Sequence, residues 1–294
     1  MVDKIINEAK KIFVTDNVKV LERLLGGMSN MTYVILVHDK PYTFRLPGPN
    51  AYHFVDRHIE QKNLKIFESL NVTNETIYFN CEDGIKVSKY LDGKSLNLVD
   101  RSSYPLEDIA MLLKKIHTSR LKAVNDYNPF GRLEQYENLV LDLGHSLDSK
   151  YLKAKAKFLE YKPYLDKQKK VIAHGDAQPS NFIITSRGLK VVDFEFSGNI
   201  DPIYDLACFG NIELEDGLDL LKVYYGEKLD DDKYFRFYAW RCFQALQWYN
   251  VAYFKEVVGM SKELKLDFKK IASNYLKLAN KLIKVIEKYK NNLK

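Results

Sequence analysis

Cysteine is scarce in this chain of 294 residues. Cys81, Cys208 and Cys242 are odd in number and far apart, which excludes a disulfide framework or a cysteine-spaced zinc site. Long apolar runs are missing too: no stretch approaches the roughly 20 residues a membrane-spanning helix needs. The opening segment, MVDKIINEAKKIF, sets apolar residues at helical spacing but breaks them with Asp3 and Glu8. It therefore lacks the unbroken apolar core of a signal peptide, and a cytoplasmic location is expected. Charge of one sign is also in short supply, with 45 Lys and Arg against 39 Asp and Glu. The basic runs Lys153, Lys155, Lys157 and Lys167, Lys169, Lys170 read as solvated helix faces, so no nucleic-acid partner is expected. The small positive excess would still favour a polyphosphate in a cleft. Internal repeats and low-complexity linkers are absent.

What remains is 46% hydrophobic and 29% charged, the composition of an ordinary globular chain. It is long enough to bury a large core and to form two lobes. An amphipathic helix is expected around Ile5, Ile6, Ala9, Ile12 and Phe13. Strands over 18–25, 33–37, 42–46, 76–80 and 85–91, with one helix over 56–70, predict a small antiparallel lobe. Ile59, Asn63, Ile66, Phe67 and Leu70 form the expected inward stripe of that helix, with Glu60 at its edge. After residue 92 the pattern is mostly helical, over 105–118, 133–143, 151–165, 234–253 and 264–286.

The chemistry is concentrated in 171–205, VIAHGDAQPSNFIITSRGLKVVDFEFSGNIDPIYD. An apolar run ends in the polar loop His174-Gly175-Asp176. Two β-rich runs, 182–185 and 189–192, flank Ser186-Arg187-Gly188, a three-residue turn. Centred on Arg187, that hairpin sets Asn181 directly opposite Asp193, where Cβ atoms lie about 4.5–5.5 Å apart. An amide oxygen and a carboxylate at that separation suit Mg2+, a hard cation that takes oxygen ligands. Asp176, five residues before Asn181, supplies a carboxylate outside the metal pair. Phosphoryl transfer asks for this division of labour: metal ligands for the donor phosphates and a separate carboxylate on the attacking hydroxyl. With an ordinary pKa of about 4, Asp176 would orient the alcohol and take its proton late. Further on, Asp201-Pro202 marks a helix start. The segment YFRFYAWRCFQALQWYNVAY that follows is unusually aromatic. It places Trp240, Gln244 and Trp248 on one stripe with Tyr249 beside it, either as core or as an aromatic surface for a cation.

HGDAQPSN, VVDFEF and DPIYDLA together resemble the choline/ethanolamine kinase family, within the aminoglycoside phosphotransferase and protein-kinase-like superfamily. The resemblance covers most of the chain. It implies a bilobed α+β protein-kinase-like fold, with a small antiparallel-sheet N-lobe (1–91) and a larger, mainly helical C-lobe (92–294). It implies an ATP-dependent kinase for a small alcohol, choline first, with ethanolamine, thiamine or an aminoglycoside as alternatives. An inactive nucleotide-binding protein is the alternative of a different class. Asp176 takes the catalytic role, and Asn181 and Asp193 hold Mg2+. Arg45 grips phosphate and pairs with Glu60, Ser29 and Asn30 meet phosphate from the glycine-pair turn, and Lys89, Tyr90 and Leu91 offer backbone groups to adenine. Gln178, Phe196, Trp240, Gln244, Trp248 and Tyr249 fall to the acceptor, while His174 and Asp205 support the catalytic loop.

Overall fold

The computed structural model describes residues 1–24, 30–48, 51–290 and 292. Its elements begin with α1 (Val2–Phe13), β1 (Val18–Leu24), β2 (Asn30–Val37), β3 (Lys40–Pro47) and α2 (Arg57–Ser69). Then come β4 (Thr76–Phe79), β5 (Lys86–Lys89), β6 (Gly93–Ser95), α3 (Leu106–His117), α4 (Pro129–Leu141), α5 (Ser149–Leu159) and α6 (Lys162–Leu165). The middle of the chain forms β7 (Val171–Ala173), β8 (Phe182–Thr185), β9 (Gly188–Val191) and β10 (Gly198–Ile200). The rest is helical: α7 (Ile203–Phe209), α8 (Leu214–Tyr225), α9 (Asp231–Val257), α10 (Met260–Leu264) and α11 (Phe268–Lys290). Two compact units result, one of Met1–Asn125 with Pro179–Gly198 and one of Asp126–Gln178 with Asn199–Lys294.

In the first unit, the five-stranded sheet runs β1-β2-β3-β5-β4, antiparallel throughout. Its core joins Ile5 and Ala9 of α1 to Val18, Ile35, Phe44 and Val87. Helix α2 starts at Asp56, whose carboxylate accepts from the His58 and Ile59 amides and so satisfies two donors the helix cannot. The buried face of α2 shares only Asn63 and Phe67 with the expected stripe. It consists of Arg57, Glu60, Asn63, Leu64 and Phe67, so Glu60 sits at the centre, fully buried, and Ile59 and Ile66 are only partly covered. The helix is turned by its polar partners, described below.

The β8–β9 hairpin also departs from expectation, by one residue. Thr185 pairs with Gly188 and Phe182 with Val191, so the turn is Ser186-Arg187 and Gly188 already belongs to the ladder. Gly188 takes φ 102°, in the region glycine tolerates without Cβ strain. Thr185 Oγ1 accepts from the Arg187 amide and donates to the Gly188 carbonyl. In this register Asn181 faces Val192, whose amide donates to the Asn181 carbonyl at 2.9 Å. Asp193 lies one residue beyond and leaves the ladder with φ 71°, an uncommon backbone for a non-glycine residue.

In the second unit, α9 is the central helix. Its 27 residues are buried on nearly every side, with Arg236, Arg241, Gln244, Gln247 and Asn250 among the apolar side chains, so those polar groups need partners inside. It packs on α11, α4, α7 and α5. Helix α11 offers Phe268, Ala272, Leu276, Ala279, Leu282, Ile283 and Ile286, a stripe with helical period. Short strands β7 and β10 pair, and β7 leads directly into the loop at 174–176. Among the described residues no helix is long and apolar enough to cross a membrane.

Candidate active site

Three anchors on α2 hold the segment that follows Asp193. Phe194 stacks on Phe67 at 4.0 Å between ring centroids. Glu195 accepts from Arg57 at 3.0 Å and from Asn30 Nδ2 at 2.7 Å. Asn63 Nδ2 donates to Ser197 Oγ at 3.1 Å. Their combined hold is the physical reason Asp193 can keep a left-handed backbone, which costs of order 1–3 kcal/mol.

The same unit buries an ionic network. Arg45 of β3 meets Glu60 in a two-pronged pair, at 2.5 and 3.0 Å. Arg57 donates to Glu60 at 2.6 Å and to Asn30 Oδ1 at 3.0 Å, and Lys86 approaches Glu60 at 3.5 Å. Burial would raise the Glu60 carboxyl, but the cations of Arg45, Lys86 and Arg57 hold it well below its ordinary range. Burial would likewise lower Arg45, and Glu60 above all holds it up. Glu195 is pushed up to about 7 by burial and by the neighbouring Asp193. Arg57 and Glu195 were not singled out from sequence; their signal is an arginine one turn before Glu60 and a second acid two residues after Asp193. Asn30, expected to meet phosphate, here spends its amide on Arg57 and Glu195, and Ser29 lies outside the described residues. Glu60→Ala would leave two guanidinium groups without their shared carboxylate, and the expected loss of stability is about 3–5 kcal/mol. That contribution is complete above the ordinary carboxylate pKa of 4.5 and is lost progressively as the pH falls from there toward the much lower value Glu60 has when folded. Urea unfolding of parent and Glu60→Ala at pH 7 and again at about pH 2 checks both, and a loss at pH 7 under about 1 kcal/mol, the size of a surface pair, would contradict the network's role.

Among the described residues, two buried atoms at this network have no hydrogen-bond partner: Arg45 Nε and Asp193 Oδ1. Asp193 Oδ1 lies 3.6 Å from Arg45 Nη1. A buried carboxylate oxygen without a donor is costly and is what a hard cation would satisfy. Asn181, 8% exposed, ends the Pro179–Asn181 turn and carries the amide expected to join Asp193. Among the described residues no cluster of three or more His, Cys, Asp or Glu could hold a metal. A donor set of one amide and one carboxylate fits Mg2+, which completes its shell with water and phosphate.

The expected adenine contacts lie at the end of β5. Lys89 N–H and C=O are engaged by the Glu75 carbonyl and Asn74 Nδ2, and Tyr90 N–H by the Pro41 carbonyl. Leu91 follows them, half-buried.

The second unit carries Asp176. The carboxylate of Asp205, in the first turn of α7, accepts from the His174 and Gly175 amides, each at 2.8 Å. Gly175 takes φ 79°, turning the chain so that both amides reach one side chain. His174 Nδ1 accepts from the Asp176 amide at 3.2 Å, which places the neutral ring's proton on Nε2. Gln178 Nε2 donates to Asp176 Oδ2 at 3.0 Å.

The expected acceptor residues are divided. Trp240 is 3% exposed and donates its indole N–H to Asp201 at 2.9 Å. Gln244 donates to the Tyr204 carbonyl and to Cys208 Sγ. Both are held inside the helical core. Tyr249 is buried and stacks on Tyr151 at 4.7 Å, while Trp248 keeps part of its ring exposed. Phe196 is buried in the first unit.

Residues 21–215 match the family model described as choline/ethanolamine kinase. A curated relative, protein LicA of Haemophilus influenzae, is 24% identical over 192 residues, 62% of this chain and 55% of its own length. The alignment thus spans little more than half of that relative. The crystal structure of choline kinase LicA from Streptococcus pneumoniae matches with a TM-score of 0.79 and 24% identity, covering 96% of this chain and 99% of that one. A choline/ethanolamine kinase family protein from Mesorhizobium loti gives 0.76 and 19%, covering 94% of each chain. These likenesses establish an α+β, kinase-like fold.

Proposed function

The chain belongs to the choline/ethanolamine kinase family, and we propose that it transfers the γ-phosphoryl group of ATP to the hydroxyl of a small alcohol, choline first among them. The observation that carries this reading is the buried Asp193 Oδ1, which among the described residues accepts no hydrogen bond and lies 3.6 Å from the Arg45 guanidinium that Glu60 already holds. Asp193 and Asn181 would hold Mg2+, which would supply positive charge to neutralise the donor phosphates. Arg45, fixed by Glu60, would bind phosphate through the fork that guanidinium offers. The backbone at Leu91 would meet adenine, with Lys89 and Tyr90 shaping the approach. Asp176, its carboxylate plane set by Gln178, would orient the acceptor hydroxyl and receive its proton as the phosphorus–oxygen bond forms. Asp205 and His174 keep the loop that carries Asp176 in shape.

For the acceptor, Trp248 is, among the described residues, the one aromatic residue of its stripe that is only partly buried, with Tyr249 next to it in the chain. Gln244 and Trp240, one and two helical turns earlier on the same α9 stripe, are held in the interior. A ring face attracts a quaternary ammonium with about 0.5–2 kcal/mol. Trp248→Ala is accordingly expected to raise the choline KM roughly tenfold and to leave the ATP KM within twofold; equal changes in both would make the ring a packing residue. Coupled ADP release across choline, ethanolamine, thiamine and an aminoglycoside tests the substrate class. Choline should give the highest kcat/KM, and release with none of the four would overturn the proposal.

A further inference from the structure

Arg241 on α9 is a buried cation in neutral company. It is 1% exposed, and its hydrogen bonds run to the Gly210 carbonyl (3.1 Å), the Asn211 carbonyl (3.0 Å), Asn211 Oδ1 (3.1 Å) and Gln244 Oε1 (3.3 Å). No carboxylate pairs with it among the described residues. A guanidinium held this way costs stability relative to a paired one or an apolar replacement, so packing alone does not account for it.

The bonds continue from Asn211. Its Nδ2 donates to Gln178 Oε1 at 3.3 Å, and Gln178 Nε2 donates to Asp176 Oδ2 at 3.0 Å. The two ends fix the polarity of the whole series. A guanidinium can only donate and a carboxylate can only accept. Asn211 must therefore turn its oxygen to Arg241 and its nitrogen to Gln178. Gln178 in turn must present its oxygen to Asn211 and its nitrogen to Asp176. Each amide has one orientation that works, and bonds in such a series polarise one another.

We propose that Arg241 and Asn211 are positioning residues for Asp176: the buried guanidinium sets Asn211, Asn211 sets Gln178, and Gln178 holds the Asp176 carboxylate in the orientation that receives the acceptor hydroxyl. The proposal rests on the kinase reading of Asp176. It gives the uncompensated charge of Arg241 a purpose, since the cation enforces donor polarity at a distance and adds a positive field behind the carboxylate.

Asn211→Asp separates this role from folding. The new carboxylate would pair with Arg241, so thermal stability should hold or rise. It could no longer donate to Gln178, whose amide would turn its nitrogen to position 211 and its oxygen toward Asp176. With choline, ATP and Mg2+, the expected result is a kcat at least about tenfold lower, equivalent to ~1.4 kcal/mol, with the ATP KM within twofold and Tm no lower. A kcat within twofold of the parent overturns the proposal, and so does a variant that fails to fold. Gln178→Ala supplies the cross-check. Because both changes act through one bond, the double variant should be no slower than Gln178→Ala alone, and multiplicative losses would contradict the relay. Asp176→Asn in the same assay distinguishes the two levels. If it turns over normally, the kinase reading of Asp176 fails; if it is inactive while Asn211→Asp is normal, only the relay fails.

Discussion

Replacing Asp176 with asparagine is expected to lower kcat by roughly two to four orders of magnitude, the range over which a positioned acid–base group acts. The substitution keeps size and polarity but removes the group that can take the hydroxyl proton. The loop should keep its shape, because His174 and Gly175 are held by Asp205 and not by the Asp176 carboxylate. Nucleotide contacts are assigned to Arg45, Asn181, Asp193 and the backbone near Leu91, so the affinity for ATP with Mg2+ should change less than threefold or so, below one hydrogen bond's worth. Titration calorimetry and ADP release measure the two halves. Turnover close to the parent would remove Asp176 from the chemistry, and loss of nucleotide binding would make its role architectural.

Asp193→Ala should produce the complementary result. The affinity for ATP in the presence of Mg2+ is expected to fall by at least roughly a hundredfold, in line with the several kcal/mol a catalytic metal contributes. Binding of ATP without the metal should barely change. Stability gives a second, independent readout. Among the described residues Asp193 Oδ1 is buried without a hydrogen-bond donor, so its removal relieves an unfavourable group. Arg45 keeps both bonds to Glu60. Tm should therefore stay level or rise, as it does when an active-site residue retained for function is removed. A large drop in Tm with unchanged metal dependence would identify Asp193 as a structural ion-pair member.

Much of this was readable from residue order because the relevant signals are local. The loop at His174-Gly175-Asp176, the hairpin beyond it and the helix start near Asp201 are each set by a few neighbouring residues. The amide bonds from His174 and Gly175 to Asp205 fit the supporting role expected of that acid. The hairpin register was misjudged because Gly188 could serve as the last turn residue or the first ladder residue. Its positive φ and the Thr185 hydroxyl decide for the ladder. The face of α2 was misjudged for a different reason. Apolar spacing pointed to Ile59 and Ile66 beside Asn63 and Phe67, which are buried, but Arg57 and a central Glu60 are buried as well because partners distant in sequence, Arg45, Asn30 and Glu195, satisfy them. Such compensation leaves no periodic trace. Trp240 follows the same logic: an aromatic stripe does not reveal that Asp201 will take the indole proton and draw the ring inside.

The central claim is that this chain moves a phosphoryl group onto an alcohol with Asp176 on the acceptor side and Asp193 on the metal side. Phosphorus NMR of the parent chain incubated with ATP, Mg2+ and choline tests it most directly. The account predicts a phosphomonoester resonance that grows in step with ADP, vanishes when Mg2+ is chelated and is missing for Asp176→Asn. ADP accompanied only by inorganic phosphate, or a phosphomonoester formed equally well by Asp176→Asn, would contradict it.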